Sequence, residues 1–208
     1  MTSPAVKAWL TVLLLAIGAY GSFTLWKIYK AHVTEPDAAR TETQPVSTSL
    51  DELPPVPLDE FAFTDSDGRP FEMRKLRGKV WIASYFFATC PGFCLQMNQE
   101  IAKLARELDD RDVTFVSFTV DPENDTPEKL KEYGERVGAD PDHWIFLTGD
   151  MDEIRELGQQ WLKMPVGKEH NDKLVVVGRD GRVKGFFASR DTLQVKRLKK
   201  KLLEWIQE

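Results

Sequence analysis

An uncharged, apolar run, Val80-Trp81-Ile82-Ala83-Ser84-Tyr85-Phe86-Phe87, leads almost directly into Cys90-Pro91-Gly92-Phe93-Cys94, which holds the only two cysteines of the chain. A nearly continuous apolar run of this length reads as a strand buried on both faces at the centre of a sheet. A Pro-Gly turn then breaks the extended chain before a helix begins. The two sulfurs are four positions apart, so one helical turn places both on one face. Such a pair points to redox or soft-metal chemistry. With three intervening residues it is wider than a thioredoxin-type pair, yet it can still close as a disulfide or hold one metal ion between two thiolates. Two structural readings compete. A disulfide across so short a loop would constrain the unfolded chain only weakly, and buried cysteines often serve as small hydrophobes.

The neighbouring segments extend this strand into a fold. Phe61-Ala62-Phe63-Thr64 and Pro70-Phe71-Glu72 flank the turn signature Asp65-Ser66-Asp67-Gly68 and predict a hairpin. A helix is expected over Cys94–Leu108, with Ile101, Leu104 and Leu108 inward, and a strand over Val113–Val120. Thr126-Pro127-Glu128 starts a further helix: Thr caps it, Pro suits its first position, and Glu complements the dipole. A short strand over Trp144–Leu147 and a helix over Met151–Trp161 follow. Leu174–Val177 and Val183–Phe187 then flank Gly178-Arg179-Asp180-Gly181 as a second hairpin, and a last helix covers Thr192–Gln207. This order predicts an α/β, thioredoxin-like mixed sheet flanked by helices. The cysteine loop would sit at the carboxyl end of a central strand, where open α/β sheets place their sites.

Composition divides the 208 residues into three stretches. Residues 1–30 read as an N-terminal membrane anchor, a transmembrane helix. Ala8–Trp26 carries no charge, spans about 28 Å as a helix, and has Trp9, Tyr20 and Trp26 placed as interfacial aromatics. The flanking charges do not fix its orientation. Residues 31–57, rich in Thr, Glu, Pro, Ser and Gln, read as a flexible tether that stiffens at Leu53-Pro54-Pro55-Val56-Pro57. Residues 58–208 are the size of one domain. The net charge of −5 gives no sign of a nucleic-acid partner. The basic run Lys196–Lys201 reads as the solvated face of the last helix, with Leu198, Leu202 and Ile206 as its apolar stripe. Internal repeats, a phosphate-binding glycine loop and a nucleophilic serine motif are all absent from the sequence.

Three histidines could join the thiols. His32 falls in the tether and His143 in a turn before a strand, where both read as solvated or surface residues. His170 lies just before the second hairpin, in a connection that a thioredoxin-like fold packs beside the cysteine loop. Two thiolates and one imidazole form a soft, low-coordination set that suits copper, especially Cu(I). Zinc with an open fourth position is the chemical competitor. Met97 and Met164 offer thioether sulfur but read as core residues.

Three separated segments carry a resemblance to a known family. Thr89-Cys90-Pro91-Gly92-Phe93-Cys94 is similar to the Cys-Pro-x-x-Cys segment of the Sco/SenC family of membrane-anchored, thioredoxin-fold copper proteins. Ser117-Phe118-Thr119-Val120-Asp121-Pro122-Glu123-Asn124-Asp125-Thr126-Pro127 resembles the family's Ser-x-Asp-Pro-x-x-Asp-Thr-Pro stretch, with a longer spacing between Ser and the first Asp. His170 stands eleven residues before Gly181, where the family carries its histidine ligand. The chain departs from the pattern at Leu95, where proline is common, and at Asn171-Asp172, which are polar before the following strand.

The resemblance implies that Cys90, Cys94 and His170 ligate a copper ion and that the two cysteines form a reversible, redox-active pair. Asp121 would shape the adjoining loop. It further implies a membrane-tethered copper chaperone on the periplasmic or equivalent outer side. Its client would be a copper protein, cytochrome c oxidase subunit II, whose binuclear copper site it would load or prepare, with a thiol reductant protein restoring the dithiol. The alternative is a thiol–disulfide oxidoreductase acting on client cysteines without metal, with Cys90 attacking. A peroxidase on the same scaffold ranks below both.

Overall fold

The computed structural model describes residues 4–33, 50–90, 92–108, 113–169 and 171–207. His170, Pro91 and residues 34–49 of the expected tether lie outside them. The chain forms two compact units, Met1–Ser47 and Thr48–Glu208.

The described residues of the first unit form one helix, α1 (Pro4–Val33), which runs past the expected anchor and includes His32. Trp9, Leu13, Leu15, Ile17, Tyr20, Phe23, Leu25 and Trp26 are exposed on it. At 100° per residue they point to all sides of the axis, so the helix has no single apolar stripe of the kind that docks on a core. Among the described residues, no helix is long and apolar enough to cross a membrane.

The second unit is built on a seven-stranded mixed sheet. Its strands are β1 (Ala62–Asp65), β2 (Pro70–Glu72), β3 (Val80–Phe86), β4 (Val113–Thr119), β5 (Trp144–Thr148), β6 (Lys173–Val177) and β7 (Val183–Ala188), in the order β2-β1-β5-β4-β3-β6-β7. β3, β4 and β5 pair parallel, whereas the β3–β6, β6–β7, β5–β1 and β1–β2 pairs are antiparallel. The helices are α2 (Phe93–Leu108), α3 (Pro127–Val137), α4 (Met151–Glu156) and α5 (Thr192–Trp205). Every residue of β3 and β4 is buried, as two-sided coverage of a central parallel pair requires.

The period-two alternation sorts each strand between two cores. Trp81, Ala83 and Tyr85 of β3 pack with Phe118, Leu147, Ile154, Leu157 and the β1 residue Phe63. Val80, Ile82 and Phe86 face the opposite way, against Met97 and Ile101 of α2, Leu130 and Tyr133 of α3, and Leu198 and Leu202 of α5. Met97 and Met164 are both buried, in opposite cores.

Two local features differ from the sequence reading. The helix expected over Met151–Trp161 ends as α4 at Glu156 and continues as a wider π turn over Leu157–Trp161, closed by Leu162 N–H donating to Leu157 O at 2.9 Å. Its exit is Lys163, which takes a positive φ of 54°. Gly158 makes room here, since a Cβ on it would come within 2.1 Å of Val166 Cγ2. In addition, Leu50–Pro57 is bound to the domain: Val56 is buried, its N–H donates to Gly181 O at 2.8 Å, and Arg182 donates to Leu53 O at 2.5 Å.

Candidate metal centre

β3 delivers the cysteine loop to the carboxyl end of the sheet, and α2 begins inside it. The turn is secured by Cys90 N–H donating to Phe87 O at 3.2 Å and by Gln96 N–H donating to Gly92 O at 2.9 Å. Gly92 holds φ +156°, a backbone that side-chain-bearing residues rarely adopt. Both cysteines are thiols. Cys94 is buried in the helix-side core, whereas Cys90 is half-buried.

The pair shares the start of one helix, and that makes the two sulfurs unlike. Cys94 N–H donates to Cys90 Sγ at 3.2 Å, so the Cys90 sulfur caps a backbone donor that the helix leaves open. Burial works against the Cys90 thiolate, but the Cys94 N–H, the Cys94 thiol and the Gly92 and Phe93 N–H groups outweigh it and bring the pKa below the ordinary 9.0. Burial dominates at Cys94 and pushes it up to about 12; the Phe87 backbone opposes this, while Cys90 and the Asp125 charge add to it.

A buried polar layer lies beneath. Asn98, one turn after Cys94 and fully buried, donates from Nδ2 to Tyr133 Oη at 2.9 Å. Burial raises the Tyr133 pKa, with the charges of Cys94 and Cys90 contributing. Asp125 joins the two strand ends: its Oδ2 accepts from Ala88 N–H at 2.9 Å and from the Thr119 hydroxyl. Thr119 Oγ1 in turn accepts from Asp121 N–H at 3.0 Å. Asp121 has a further task. Its Oδ1 stands 3.0 Å from Lys168 Nζ and accepts from Asn124 Nδ2 at 3.0 Å. Burial disfavours the Asp121 charge, but Asn124 and Lys168 outweigh it and hold the carboxyl below the usual carboxylate range. The ion pair ties the β4–α3 connection to the segment between the π turn and β6, which lines a cavity of about 490 Å³ with Gln159, Val166 and Asn171.

The structure therefore brings Cys90 and Cys94 together and places Asp121 and Asp125 in the adjoining loop. His170, the expected third ligand, lies outside the described residues. His143 sits half-buried in its turn, where its carbonyl accepts from Phe115 N–H at 2.8 Å. Among the described residues, no group of three or more His, Cys, Asp or Glu side chains could hold a metal. The donor set itself suits a soft ion, because two sulfurs one helical turn apart can converge on one centre. Sequence reasoning did not single out Asn98 or Tyr133. A signal existed: Asn98 is a polar residue on the apolar side of an amphipathic helix.

A parallel-centred α/β sheet with a dithiol at the end of β3 and the start of α2 defines a thioredoxin-like thiol protein. The particular family follows from likeness. The SCO1/SenC family profile matches residues 55–207, and the chain belongs to that family. It is 34% identical to the SCO1 protein homolog of Bacillus subtilis over 136 residues, 61% of this chain and 70% of that one. Its fold matches that of BsSco, a member of the Sco family of cytochrome c oxidase assembly proteins in which a disulfide switch was identified. That match has a TM-score of 0.64 at 28% identity and covers 74% of this chain and 97% of that one. It also matches copper-bound ScoI of Bradyrhizobium japonicum with a TM-score of 0.56 at 24% identity, over 70% of this chain and 96% of ScoI, a likeness of fold.

Proposed function

We propose that this chain is a membrane-tethered copper chaperone whose cargo is one copper ion held by Cys90, Cys94 and His170. Its client is the binuclear copper site of cytochrome c oxidase subunit II, and a separate thiol reductant protein keeps the pair reduced. The observation that carries the reading is the dithiol at one helix start, with Cys94 N–H on Cys90 Sγ, in a chain of the SCO1/SenC family. Family members bear on it directly: ScoI of B. japonicum has been solved with copper bound, and BsSco is a cytochrome c oxidase assembly protein.

The test is Cu(I) titration of the unit Thr48–Glu208 against a competing chelator, reduced and without oxygen. The cut at Thr48 keeps Val56 and Leu58, both buried. One-to-one binding weakened by Cys90→Ser, Cys94→Ser and His170→Ala supports the site, and binding indifferent to His170→Ala removes it. For the tether, α1 is the anchor and the domain faces the periplasmic or equivalent outer side. The full chain should then sediment with membranes, resist carbonate extraction and be open to protease only from that side; release by carbonate would refute anchoring.

A second reading has its own support. The activated Cys90 and the buried, high-pKa Cys94 match an attacking and a resolving thiol. In a thiol–disulfide oxidoreductase, the Cys90 thiolate would attack a client disulfide and release one client thiolate. Cys94, losing its proton, would close the Cys90–Cys94 disulfide and release the second. Two electrons pass to the client, and the reductant protein returns them. That activity would survive His170→Ala.

A further inference from the structure

The surroundings of the thiol loop carry two arginines that form no ion pair with a carboxylate among the described residues. Arg136, in the last turn of α3, lays its guanidinium over the Tyr133 ring with 4.9 Å to the centroid and donates from Nη2 to Ala88 O at 3.3 Å. Arg190, in the β7–α5 connection, lies over the Phe93 ring at 4.7 Å. Ala88 precedes Cys90 by two residues and Phe93 follows it by three, so one arginine is fastened to the strand exit and the other to the helix entry. Both are exposed.

Other arginines of this domain are occupied differently. Arg69, Arg74, Arg77 and Arg155 each stand within ion-pair distance of a carboxylate, on Asp67, Glu72, Asp59 and Asp152 respectively. Arg136 and Arg190 form no such pair among the described residues. Asp191, next to Arg190, spends its carboxylate on the Leu193 and Gln194 N–H groups at the start of α5. Stacking on a ring fixes a guanidinium while leaving in-plane N–H donors open to a carboxylate. In a chain of net charge −5, two fixed cations that form no ion pair among the described residues, one held at the strand exit and one at the helix entry of the thiol loop, offer a surface complementary to carboxylates.

We infer that Arg136 and Arg190 form a docking clamp for an acidic protein segment flanking the cysteines of the client. This rests on the handover to a client proposed above and names the chemistry of the surface that is met. The clamp sets the orientation and rate of encounter. Copper affinity belongs to Cys90, Cys94 and His170.

The experiment uses the full chain in a neutral detergent and two fluorescein-labelled eleven-residue peptides. Each peptide has two serines in place of client cysteines, so neither metal transfer nor disulfide exchange can occur; one carries four flanking Glu, the other four Gln. At low salt the acidic peptide should bind about tenfold more tightly, the range expected of two exposed charge-assisted contacts. The preference should fall in Arg136→Gln and in Arg190→Gln, vanish in the double variant, and collapse in 0.5 M salt. Arg136→Lys with Arg190→Lys should keep part of it, which separates charge from damage to the fold. Equal affinity for both peptides, or a preference that survives the double Gln variant, overturns the inference. Cu(I) titration of the same proteins is the independent arm. Failure of the unmodified chain to bind copper would refute the chaperone reading and leave the peptide result to stand or fall by itself.

Discussion

Thr119→Val is the substitution that most directly tests how the strand ends hold the thiol loop. The side chains are nearly isosteric, so the change removes a hydroxyl and little else. That hydroxyl works twice, donating to Asp125 Oδ2 and accepting from Asp121 N–H. All three residues are buried, with Thr119 and Asp125 at 0% exposure. After the change, among the described residues, Oδ2 keeps only the Ala88 N–H, Oδ1 already has no donor, and the Asp121 N–H loses its acceptor. A buried group left unsatisfied costs about 1–3 kcal/mol, and more where the partner is charged, so the loss should total about 3–5 kcal/mol. Thr119→Ser keeps the hydroxyl and removes one methyl, which costs about 1 kcal/mol. Urea unfolding of Thr48–Glu208, followed by tryptophan fluorescence, reads the difference. With a slope of about 2 kcal/mol per M, the Val variant should lose roughly 1.5–2.5 M in midpoint and the Ser variant roughly 0.5 M. Equal shifts for Val and Ser would show that the hydroxyl network does not support this end of the sheet.

Three further outcomes are expected. Iodoacetamide labelling followed by mass spectrometry across pH should show Cys90 reacting through a midpoint below 9.0, while Cys94 stays protected until about pH 12; equal labelling at pH 8 would contradict the asymmetry. Gly158→Ala should lower the melting temperature, because its Cβ would fall 2.1 Å from Val166 Cγ2 and 2.8 Å from Tyr85 Oη. Overpacking of this kind costs about 1–3 kcal/mol, or several degrees in a domain of this size, and an unchanged melting point would show that the Val166 segment yields freely. Ser117→Ala should destabilise more than Ser84→Ala in chemical denaturation. Ser117 Oγ both pairs with Ser84 at 2.7 Å and accepts from Trp144 Nε1 at 2.8 Å, so only its loss strands the indole donor; equal costs would refute that role.

Much of this fold was legible because the strongest signals are local. The apolar run at Val80, the alternation from Val113 and the Thr126-Pro127-Glu128 start each correspond to β3, β4 and α3. Thr126 Oγ1 does accept from Lys129 N–H, and Gly138 closes α3 at φ +73°. The π turn was not legible, since Leu157–Trp161 keeps helical composition and only the approach of Tyr85 and Val166 at Gly158 distinguishes it. Leu50–Pro57 reads as polar linker by composition, yet the bonds from Val56 to Gly181 and from Arg182 to Leu53 join residues over a hundred positions apart. The site divides in the same way. Cys90 and Cys94 meet through one helical turn, a relation that spacing gives directly. The meetings of Asp125 with Ala88, Asn98 with Tyr133 and Arg136 with Ala88 depend on how α3 lies against β3 and α2.

The asymmetry of the dithiol connects the two functional readings rather than choosing between them. Cys94 is costly to ionise because it sits in an apolar core with Asp125 nearby, and its proton leaves readily only when a bond to sulfur replaces it. A metal ion or the Cys90 sulfur can form that bond. Either event turns a buried thiol into a neutralised, bonded sulfur, and either is favoured for the same physical reason. Cys90 supplies the complementary property: half-buried and stabilised as a thiolate by the start of α2, it is the sulfur that a client can reach first. Transfer of cargo and transfer of electrons would then begin at the same atom and be completed at the same partner. What separates them is a third donor that only a metal requires, which is why His170→Ala, read against both copper affinity and disulfide exchange, divides the functions where substitution of either cysteine cannot.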